Sequence, residues 1–461
     1  MTGRDDHDLN GKLAPAEAHY DVVIVGAGAS GTAAALSAAQ AGKTVLLVDE
    51  HPVAGTLIGS DVPYLFGGRA TVAVQTSARM VEQLFATNPA LEVVFEAGIE
   101  VRLGTVAWGL YRPGPALQTL PEAMLGLADS ERAWMVGFGE LVLATGARDI
   151  VLGFAGWDRP GVIGVQGFHA LLTRYDALAT RRMVVLGSGD LALQTALLAH
   201  DRGLDVAAIV EVLGAVQGTA TLADRVRGAG IAFHLGTAIA ATSGGIDGVT
   251  GVTLADGTTI ACDTVCLALG TMPATELLEA GGGSATVVGD AAGPLPDMAY
   301  IAAWSRVLGR YAAPDTIVCQ CEAVTRADLL GVQPPRYLDR LVPQAARSLA
   351  TLAADGPAHP DQIKRLTRAG MGLCQGRRCR TQVACLLAEA TGVSIAEVPI
   401  ASFRAPVRPV PLGLLADWQE LPAMAAGWDV WFGIPTQWTP YADIGTPREA
   451  EIVANGGNMH V

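Results

Sequence analysis

The sequence has little charge, few aromatic residues and no long uninterrupted apolar segment. Only 16% of its 461 residues are charged and 5% are aromatic. No run of about twenty apolar residues could span a bilayer, and the polar first twenty residues lack the apolar core of a signal peptide. The formal net charge of −14 argues against nucleic acid or an anionic membrane as partner, since both reward clustered lysine and arginine. We therefore expect a cytoplasmic protein.

Cysteine is also scarce. Seven cysteines in a reducing compartment do not indicate a disulfide framework. Half of the residues are hydrophobic and 55 are glycine. A chain of this length has two to three domains with large cores, and the excess of glycine suggests nucleotide-binding turns.

The segment DVVIVGAGASGTAAALSAAQAGKTVLLVDE, residues 21–50, has the pattern of a dinucleotide-binding βαβ unit. An apolar strand ends in a G-x-G-x-x-G turn, an alanine-rich helix follows, and a second strand ends in two acids. The glycines permit a tight turn, close approach of a pyrophosphate and close packing of helix on strand, and the acid suits a ribose. The candidate contact residues are Gly26, Gly28, Ser30, Gly31, Asp49 and Glu50.

Two further elements favour FAD over NAD at this first site. A strand runs into Ala144-Thr145-Gly146, and a later strand runs into Gly289-Asp290 before the helix-like segment MAYIAAWSRVLG. This set resembles the glutathione-reductase type of flavoprotein, an α/β fold with two nested Rossmann-type, dinucleotide-binding domains. The resemblance implies that Thr145 and Gly146 support the first domain and that Gly289 and Asp290 contact FAD, the aspartate through the ribityl chain.

The segment RRMVVLGSGDLALQTALLAHDRGLDVAAIVE, residues 181–211, repeats the βαβ pattern. Its candidate nucleotide contacts are Gly187, Gly189, Ala192 and Glu211. An acid at position 211 without an adjacent arginine suits NAD better than NADP. Two alternatives stay open, because such a domain can hold another adenine nucleotide or persist as a scaffold without a ligand.

Six of the seven cysteines fall into two groups, and Cys385 is interpreted as a buried thiol on an amphipathic helix. Cys262 and Cys266 lie on the apolar run IACDTVCLALG, about 13 Å apart if this is one extended strand, and are interpreted as core residues, which argues against thiol–disulfide chemistry. Four others form a C-x-C … C-x4-C array, with basic residues nearby. A 2Fe–2S cluster needs four thiolates; a zinc site and the absence of any metal are the alternatives. These four are Cys319, Cys321, Cys374 and Cys379.

Three segments, VCQCEAVTRADL, QIKRLTRAGMGLCQGRRC and FRAPVRPVPLGLLA, resemble the larger flavoprotein subunits of opine oxidases, hydrogen cyanide synthase and D-hydroxyproline dehydrogenase. The resemblance implies a C-terminal module of the bacterioferritin-associated-ferredoxin type, with a 2Fe–2S cluster on the four cysteines above. It also implies a partner subunit resembling D-amino-acid oxidase with its own FAD, a small ferredoxin-like 2Fe–2S partner and, in some relatives, an FMN between subunits.

The resemblance predicts a division of the chain into a polar extension (1–18), an FAD-binding domain (19–155 and 281–313), a second nucleotide-binding domain (156–280), a 2Fe–2S module (314–412) and an irregular tryptophan-rich tail (413–461). The tail either docks a partner or packs on its own domain. The stretch after the first ribose acid departs from the G-G-Q-I-Y-R-like pattern of relatives, which leaves the substrate class open.

The predicted function is electron transfer within a heteromeric enzyme that oxidises a C–N bond of an amino acid, imino acid, opine or amine. We predict no catalytic acid–base or nucleophilic residues in this chain, because substrate oxidation belongs to the partner. The alternatives are a self-sufficient NADH-dependent reductase and a non-enzymatic scaffold whose nucleotide sites have decayed.

Overall fold

The computed structural model describes residues 16–52, 70–113, 120, 122–333, 348–356, 359–416 and 446–456. Its strands are β1 (Ala18–Val25), β2 (Val45–Asp49), β3 (Glu100–Leu103), β4 (Val106–Tyr111), β5 (Met124–Ala128), β6 (Ala133–Leu143), β7 (Ala147–Asp149), β8 (Val162–Gly164), β9 (Arg182–Leu186), β10 (Asp205–Glu211), β11 (Ala232–Leu235), β12 (Ile239–Gly245), β13 (Gly248–Leu254), β14 (Thr259–Ala261), β15 (Thr264–Leu267), β16 (Thr271–Pro273), β17 (Thr286–Val287), β18 (Ile317–Cys319) and β19 (Val324–Thr325).

The α-helices complete the elements, together with short 3₁₀ turns and a π-helical turn at Ala170–Arg174. They are α1 (Ala29–Gln40), α2 (Ser77–Thr87), α3 (Ala90–Glu96), α4 (Val165–His169), α5 (Asp190–Asp201), α6 (Ala220–Gly228), α7 (Glu276–Gly281), α8 (Met298–Gly309), α9 (Arg326–Leu330), α10 (Leu349–Asp355), α11 (Pro360–Thr367), α12 (Arg380–Thr391), α13 (Leu412–Ala416) and α14 (Pro447–Gly456).

The first sheet has the strand order β3-β2-β1-β6-β5-β4, and β17 also pairs with β6. Strands β3, β2, β1, β6 and β17 run parallel, whereas β4, β5 and the start of β6 form an antiparallel meander. The buried β-branched and leucine side chains of β1 and β2 give the near-continuous apolar runs that a parallel sheet covered on both faces requires. The carboxyl ends of β1, β6 and β17 therefore meet at one edge, where cofactors bind in open α/β sheets.

The second sheet is inserted between the two parts of the first and has the parallel order β11-β10-β9-β15-β8. An antiparallel sheet, β12-β13-β14, packs beside it. Strands β7 and β16 pair where the chain leaves the first sheet and returns to it. The predicted boundary at residue 280 falls inside α7, which ends at Gly281.

The apolar run around Cys262 and Cys266 is not one strand. It breaks after β14, turns at Cys262 and Asp263, and continues as β15. The interpretation of both thiols as core residues is confirmed, since both are buried, and burial raises the pKa of Cys262 to about 12 and that of Cys266 well above its usual range. The placement of both cysteines on a single extended strand is wrong.

The C-terminal module is a small β18–β19 hairpin followed by helices α9 to α12. Thr325 and Asp328 form a capping box at the start of α9. The module is attached to the second domain, because the Trp157 indole N–H donates to the Ile317 carbonyl at 2.7 Å. Among the described residues, no helix is both long enough and apolar enough to cross a membrane.

Candidate cofactor sites

The glycine-rich turn of the first βαβ unit is shaped by backbone contacts. Gly26 has φ of +109°, a conformation that side chains disfavour, and a Cβ added there would collide with the Ala144 carbonyl. A Cβ added to Gly31 would collide with the Gly26 carbonyl. The loop after β6 and the start of α1 thus both press against the turn, as expected for a close strand–helix contact.

A cavity of about 480 Å³ lies above this turn. Space is open at Gly28, where an added Cβ would meet no atom within 4 Å. The first turn of α1 contains no acid, so its N–H groups face the cavity without a competing charge. The structure brings together in the cavity wall all the residues predicted for this site except Gly31, which is packed beneath it: Gly26, Gly28, Ser30, Asp49, Glu50, Thr145, Gly146, Gly289 and Asp290.

A second cavity of about 260 Å³ shares Gly28 and Asp49 with the first. The Asp49 carboxylate accepts hydrogen bonds from the Ala27 N–H at 2.5 Å and the His51 N–H at 2.7 Å. The rest of this cavity includes Leu91 and Leu103. The two cavities therefore adjoin at Gly28 and Asp49.

Sequence reasoning missed an ion pair in the wall of the large cavity. Glu50 pairs with Arg408 at 2.8 Å. Burial raises the pKa of Glu50, but the charges of Arg408, Arg377 and His51 outweigh it and lower the pKa to about 2. Nothing in the local sequence marks this pair, because its members are 358 positions apart.

Arg377 connects this cavity to the cysteine module. It lies between Cys374 and Cys379 in the chain, is 4% exposed and lines the cavity. Its guanidinium donates to the Cys374 carbonyl at 3.2 Å, and its own carbonyl accepts from Arg148 at 3.0 Å. Arg148 is in turn held by Glu276 through a buried ion pair of 2.7 Å. One loop therefore forms part of both sites.

The four predicted cysteines of the C-terminal module lie together as two contacting pairs, Cys319 with Cys379 and Cys321 with Cys374. The Gly370 N–H points at the Cys319 sulfur, 3.4 Å away. Within the described ranges, no group of three or more His, Cys, Asp or Glu side chains is arranged to hold a metal ion as it stands. The four thiols are thus arranged as two pairs.

Within each pair, the two thiols hydrogen-bond each other, which is the main cause of opposite pKa shifts: the pKa is lowered for Cys319 and Cys374 and raised for Cys379 and Cys321. For Cys374, the Arg378 and Arg377 charges add to the hydrogen bond from Cys321, so that the pKa falls well below its usual range although burial opposes the shift. Two thiol pairs with guanidinium groups and a main-chain N–H nearby fit a 2Fe–2S cluster, which takes two thiolates per iron and carries negative charge. Cys385 is buried on α12, outside these two pairs.

The residues predicted for the second nucleotide site lie at the corresponding turn of the second sheet. Gly187 has φ of +98°, and a Cβ added there would be 2.7 Å from the Ala268 carbonyl oxygen. Ala192 is fully buried, as the helix–strand contact requires. Glu211 is also fully buried, unlike Asp49 in the first unit.

Two predictions fall outside the described residues. The tryptophan-rich stretch between Trp418 and Trp438 lies in 417–445, and most of the segment that departs from the relatives lies in 53–69. Partner docking by the tail stays a prediction.

Comparison with known proteins places this geometry in context. Residues 20–289 match the family model described as pyridine nucleotide-disulphide oxidoreductase, and residues 342–418 match the sarcosine oxidase A3 domain. The alpha subunit of sarcosine oxidase from Rhizobium meliloti (strain 1021) is 28% identical over 86% of this chain, which spans only 42% of that relative. The A-type subunit of opine oxidase from Agrobacterium tumefaciens (strain Ach5) is 25% identical over 86% of this chain and 91% of its own length.

Hydrogen cyanide synthase subunit HcnB of Pseudomonas aeruginosa is 26% identical over 84% of this chain and 97% of its own length. The solved structure of L-proline dehydrogenase from P. horikoshii has a TM-score of 0.56 at 18% identity, covering 87% of this chain and 81% of that one, and it shows likeness of fold alone. The predicted α/β class and the resemblance to alpha-type, or A-type, subunits are confirmed.

Proposed function

The chain belongs to the pyridine nucleotide-disulphide oxidoreductase family, and from this premise we propose that it is the electron-transferring subunit of a heteromeric dehydrogenase or oxidase. The substrate class is an amino acid, imino acid, opine or related amine, oxidised at the carbon next to nitrogen on a partner subunit. Support comes from relatives named as subunits of sarcosine oxidase, opine oxidase and hydrogen cyanide synthase.

The observation that carries the proposal is the shared wall between the large cavity and the cysteine module. Arg377 lines the cavity, and its guanidinium contacts the main chain of Cys374. Adjacent redox sites exchange electrons efficiently only when little protein separates them, and a single loop separates these two. A scaffold would have no need to hold a cavity of this composition against four clustered thiols.

When bound, FAD would supply two-electron chemistry and a 2Fe–2S cluster one-electron transfer. The protein's own contribution is positioning and charge. The open turn at Gly28 and the acid-free start of α1 would receive a pyrophosphate, and Asp49 a ribose. Arg148, Arg377 and Arg408 line the cavity together with Glu50 and Glu276, and the ion pairs Arg408–Glu50 and Arg148–Glu276 hold these side chains in place.

The partners in this proposal are a D-amino-acid-oxidase-like subunit with its own FAD and a small ferredoxin-like 2Fe–2S subunit, with FMN at a subunit interface as a further cofactor. Of the carboxylates that line the large cavity, Glu50 and Glu276 are both held by arginine, which agrees with substrate oxidation on a partner.

The first test is the co-purified complex, whose flavin, iron and sulfide are quantified and whose absorption spectrum is followed during reduction. We expect flavin together with about two irons and two sulfides on this chain, and bleaching by an amine or imino-acid substrate only when the partner is present. A complex that contains no flavin and no iron would support the scaffold alternative and refute the proposal.

The second test assigns the cluster to its thiols. Cys374→Ser should abolish the iron–sulfur signal while leaving FAD bound, because Cys374 itself does not line the cavity. Cys385→Ser is the matched control, since it removes a buried thiol of the same module outside the four-cysteine group, and it should keep both cofactors. An intact cluster in Cys374→Ser would contradict the ligand assignment.

A further inference from the structure

The second dinucleotide-binding fold, built around β9, α5 and β10, departs from the nucleotide-binding pattern at the groups that would contact a ligand. We infer that it does not accept NAD(H), because the chain's own groups bond the acid at the ribose position and bring a carboxylate to the start of the helix at the pyrophosphate position, and because Glu211 joins the two domains. The inference rests on contacts within this fold and stands independently of the proposed function.

The ribose position is closed. The Glu211 carboxylate accepts hydrogen bonds from the Ser188 hydroxyl at 2.7 Å, the Tyr300 hydroxyl at 2.7 Å and the Leu213 N–H at 3.0 Å. A carboxylate has about four acceptor positions, so three are already in use. Glu211 has no exposed surface, which leaves a ribose no route to the remaining one.

The pyrophosphate position carries a negative charge, and a loop is hydrogen-bonded to the residues on either side of Gly189. Asp190 stands in the first turn of α5, and its carboxylate accepts from the Thr219 N–H at 2.6 Å. The Gly218 N–H donates to the Ser188 carbonyl at 2.8 Å, and a Cβ added to Gly218 would be 3.0 Å from the Asp190 nitrogen. An aspartate at a helix N-terminus stabilises that terminus but repels a phosphate.

The turn itself has a nucleotide-binding shape. Gly187 has a positive φ, Ala192 is buried against the strand, and space within 4 Å of Gly189 is open. The backbone of this turn therefore still requires glycine, which is why the sequence motif matches. The acid that would recognise a ribose, however, is already bonded within the protein.

Glu211 has a structural partner in the first domain. Tyr300 lies on α8, the helix that follows the Gly289-Asp290 turn, and burial together with the Glu211 charge raises the pKa of its phenol. The hydroxyl thus remains a donor throughout the physiological range. Ile301 and Trp304 of the same helix are fully buried in the apolar cluster that contains the strands of the second sheet. The Glu211–Tyr300 bond is the polar part of that interdomain contact.

The test of occupancy uses the full chain loaded with FAD. Calorimetric titration with NADH, NAD⁺, NADPH and ADP up to about 1 mM, the upper end of usual KM values, should show no saturable binding, and NADH should not bleach the flavin. Saturable binding of any of the four, or bleaching by NADH, would overturn the inference. Bleaching by substrate plus partner is a separate readout, so failure of the proposed function leaves this result unaffected.

The test of the structural role compares two variants with a control. Glu211→Gln and Tyr300→Phe should each lower the melting temperature by several degrees and increase hydrogen exchange in α8. Asp247→Asn removes an exposed acid of the same domain and should leave the melting temperature and the hydrogen exchange of α8 unchanged. If Glu211→Gln fails to fold, Tyr300→Phe still decides: an unchanged melting temperature and unchanged exchange would refute the interdomain role.

Discussion

The first and second dinucleotide-binding folds begin with the same turn but present different groups above it. In the first, α1 starts without an acid, and Asp49 lines a cavity. In the second, Asp190 stands in the first turn of α5, and the acid that ends β10 is sealed. The backbone of the motif is common to the two folds because it packs helix on strand, whereas the ligand-facing groups are decided by what lies around it.

The largest effect is expected at the small residue of each fold where the helix packs against the glycine-rich turn. Gly31→Ala forces a Cβ into the Gly26 carbonyl and should lower the free energy of unfolding by about 3 kcal/mol, with loss of FAD. Ala192→Gly changes the equivalent position of the second fold and should cost about 1 kcal/mol, the usual penalty for glycine in a helix. Chemical denaturation measures the free energy of unfolding of each variant, and flavin analysis measures its FAD content. Equal losses of stability in the two variants would contradict the expected difference between the two helix–strand contacts.

A smaller effect is expected from Glu50, the acid that follows Asp49. Glu50 has a pKa lowered to about 2 in the folded protein, so its contribution is complete above about pH 4.5 and is lost as the pH falls toward 2. Glu50→Gln should be less stable than the parent by about 1–3 kcal/mol near pH 7, and the difference should shrink below about pH 4.5.

The control for Glu50 is Glu140→Gln, which removes an exposed acid of the same sheet and should change stability little. Urea denaturation at several pH values gives the comparison. A Glu50→Gln deficit that does not change with pH would mean that the Arg408 pair contributes through packing and not through charge.

The smallest effect is expected at the middle glycine of each turn, Gly28 or Gly189, and it tests the comparison of the two folds most directly. Gly28→Ala meets no protein atom within 4 Å but would intrude on a bound pyrophosphate, so FAD affinity should fall about tenfold, or 1.4 kcal/mol, with unchanged stability. Gly189→Ala, equally open, should change neither flavin content nor stability. Equilibrium dialysis of FAD measures the affinities, and a matching loss in Gly189→Ala would argue for a ligand at the second turn.

The alternation of apolar strands, glycine turns and helices was sufficient to predict both βαβ units, the strand before Thr145, and a helix over Met298–Gly309. These features depend on interactions between near neighbours, which a local pattern records. The run through Cys262 and Cys266 was predicted less well, because a two-residue turn between short strands leaves no periodicity to detect.

The cavity wall could not be predicted in the same way. Arg377 is one of the basic residues near the cysteines, but its place in the wall of the large cavity depends on how the C-terminal module packs on the first domain. Arg408 reaches Glu50 from 358 positions away. A pairing over such a distance has no signature in either segment alone.

By itself, the sequence determined two glycine-rich βαβ turns and a set of four cysteines, because glycines in a tight turn and thiols at short spacing express local geometry. Only the tertiary structure decided that the acid after one turn lines a cavity and the acid after the other is sealed. Tyr300 bonds the sealed acid, Glu211, from 89 positions away, and a loop donates its N–H groups to Ser188 and Asp190 beside the second turn. Asp49 and Glu211 stand at the same strand end in the two folds, and only the groups packed around them tell them apart.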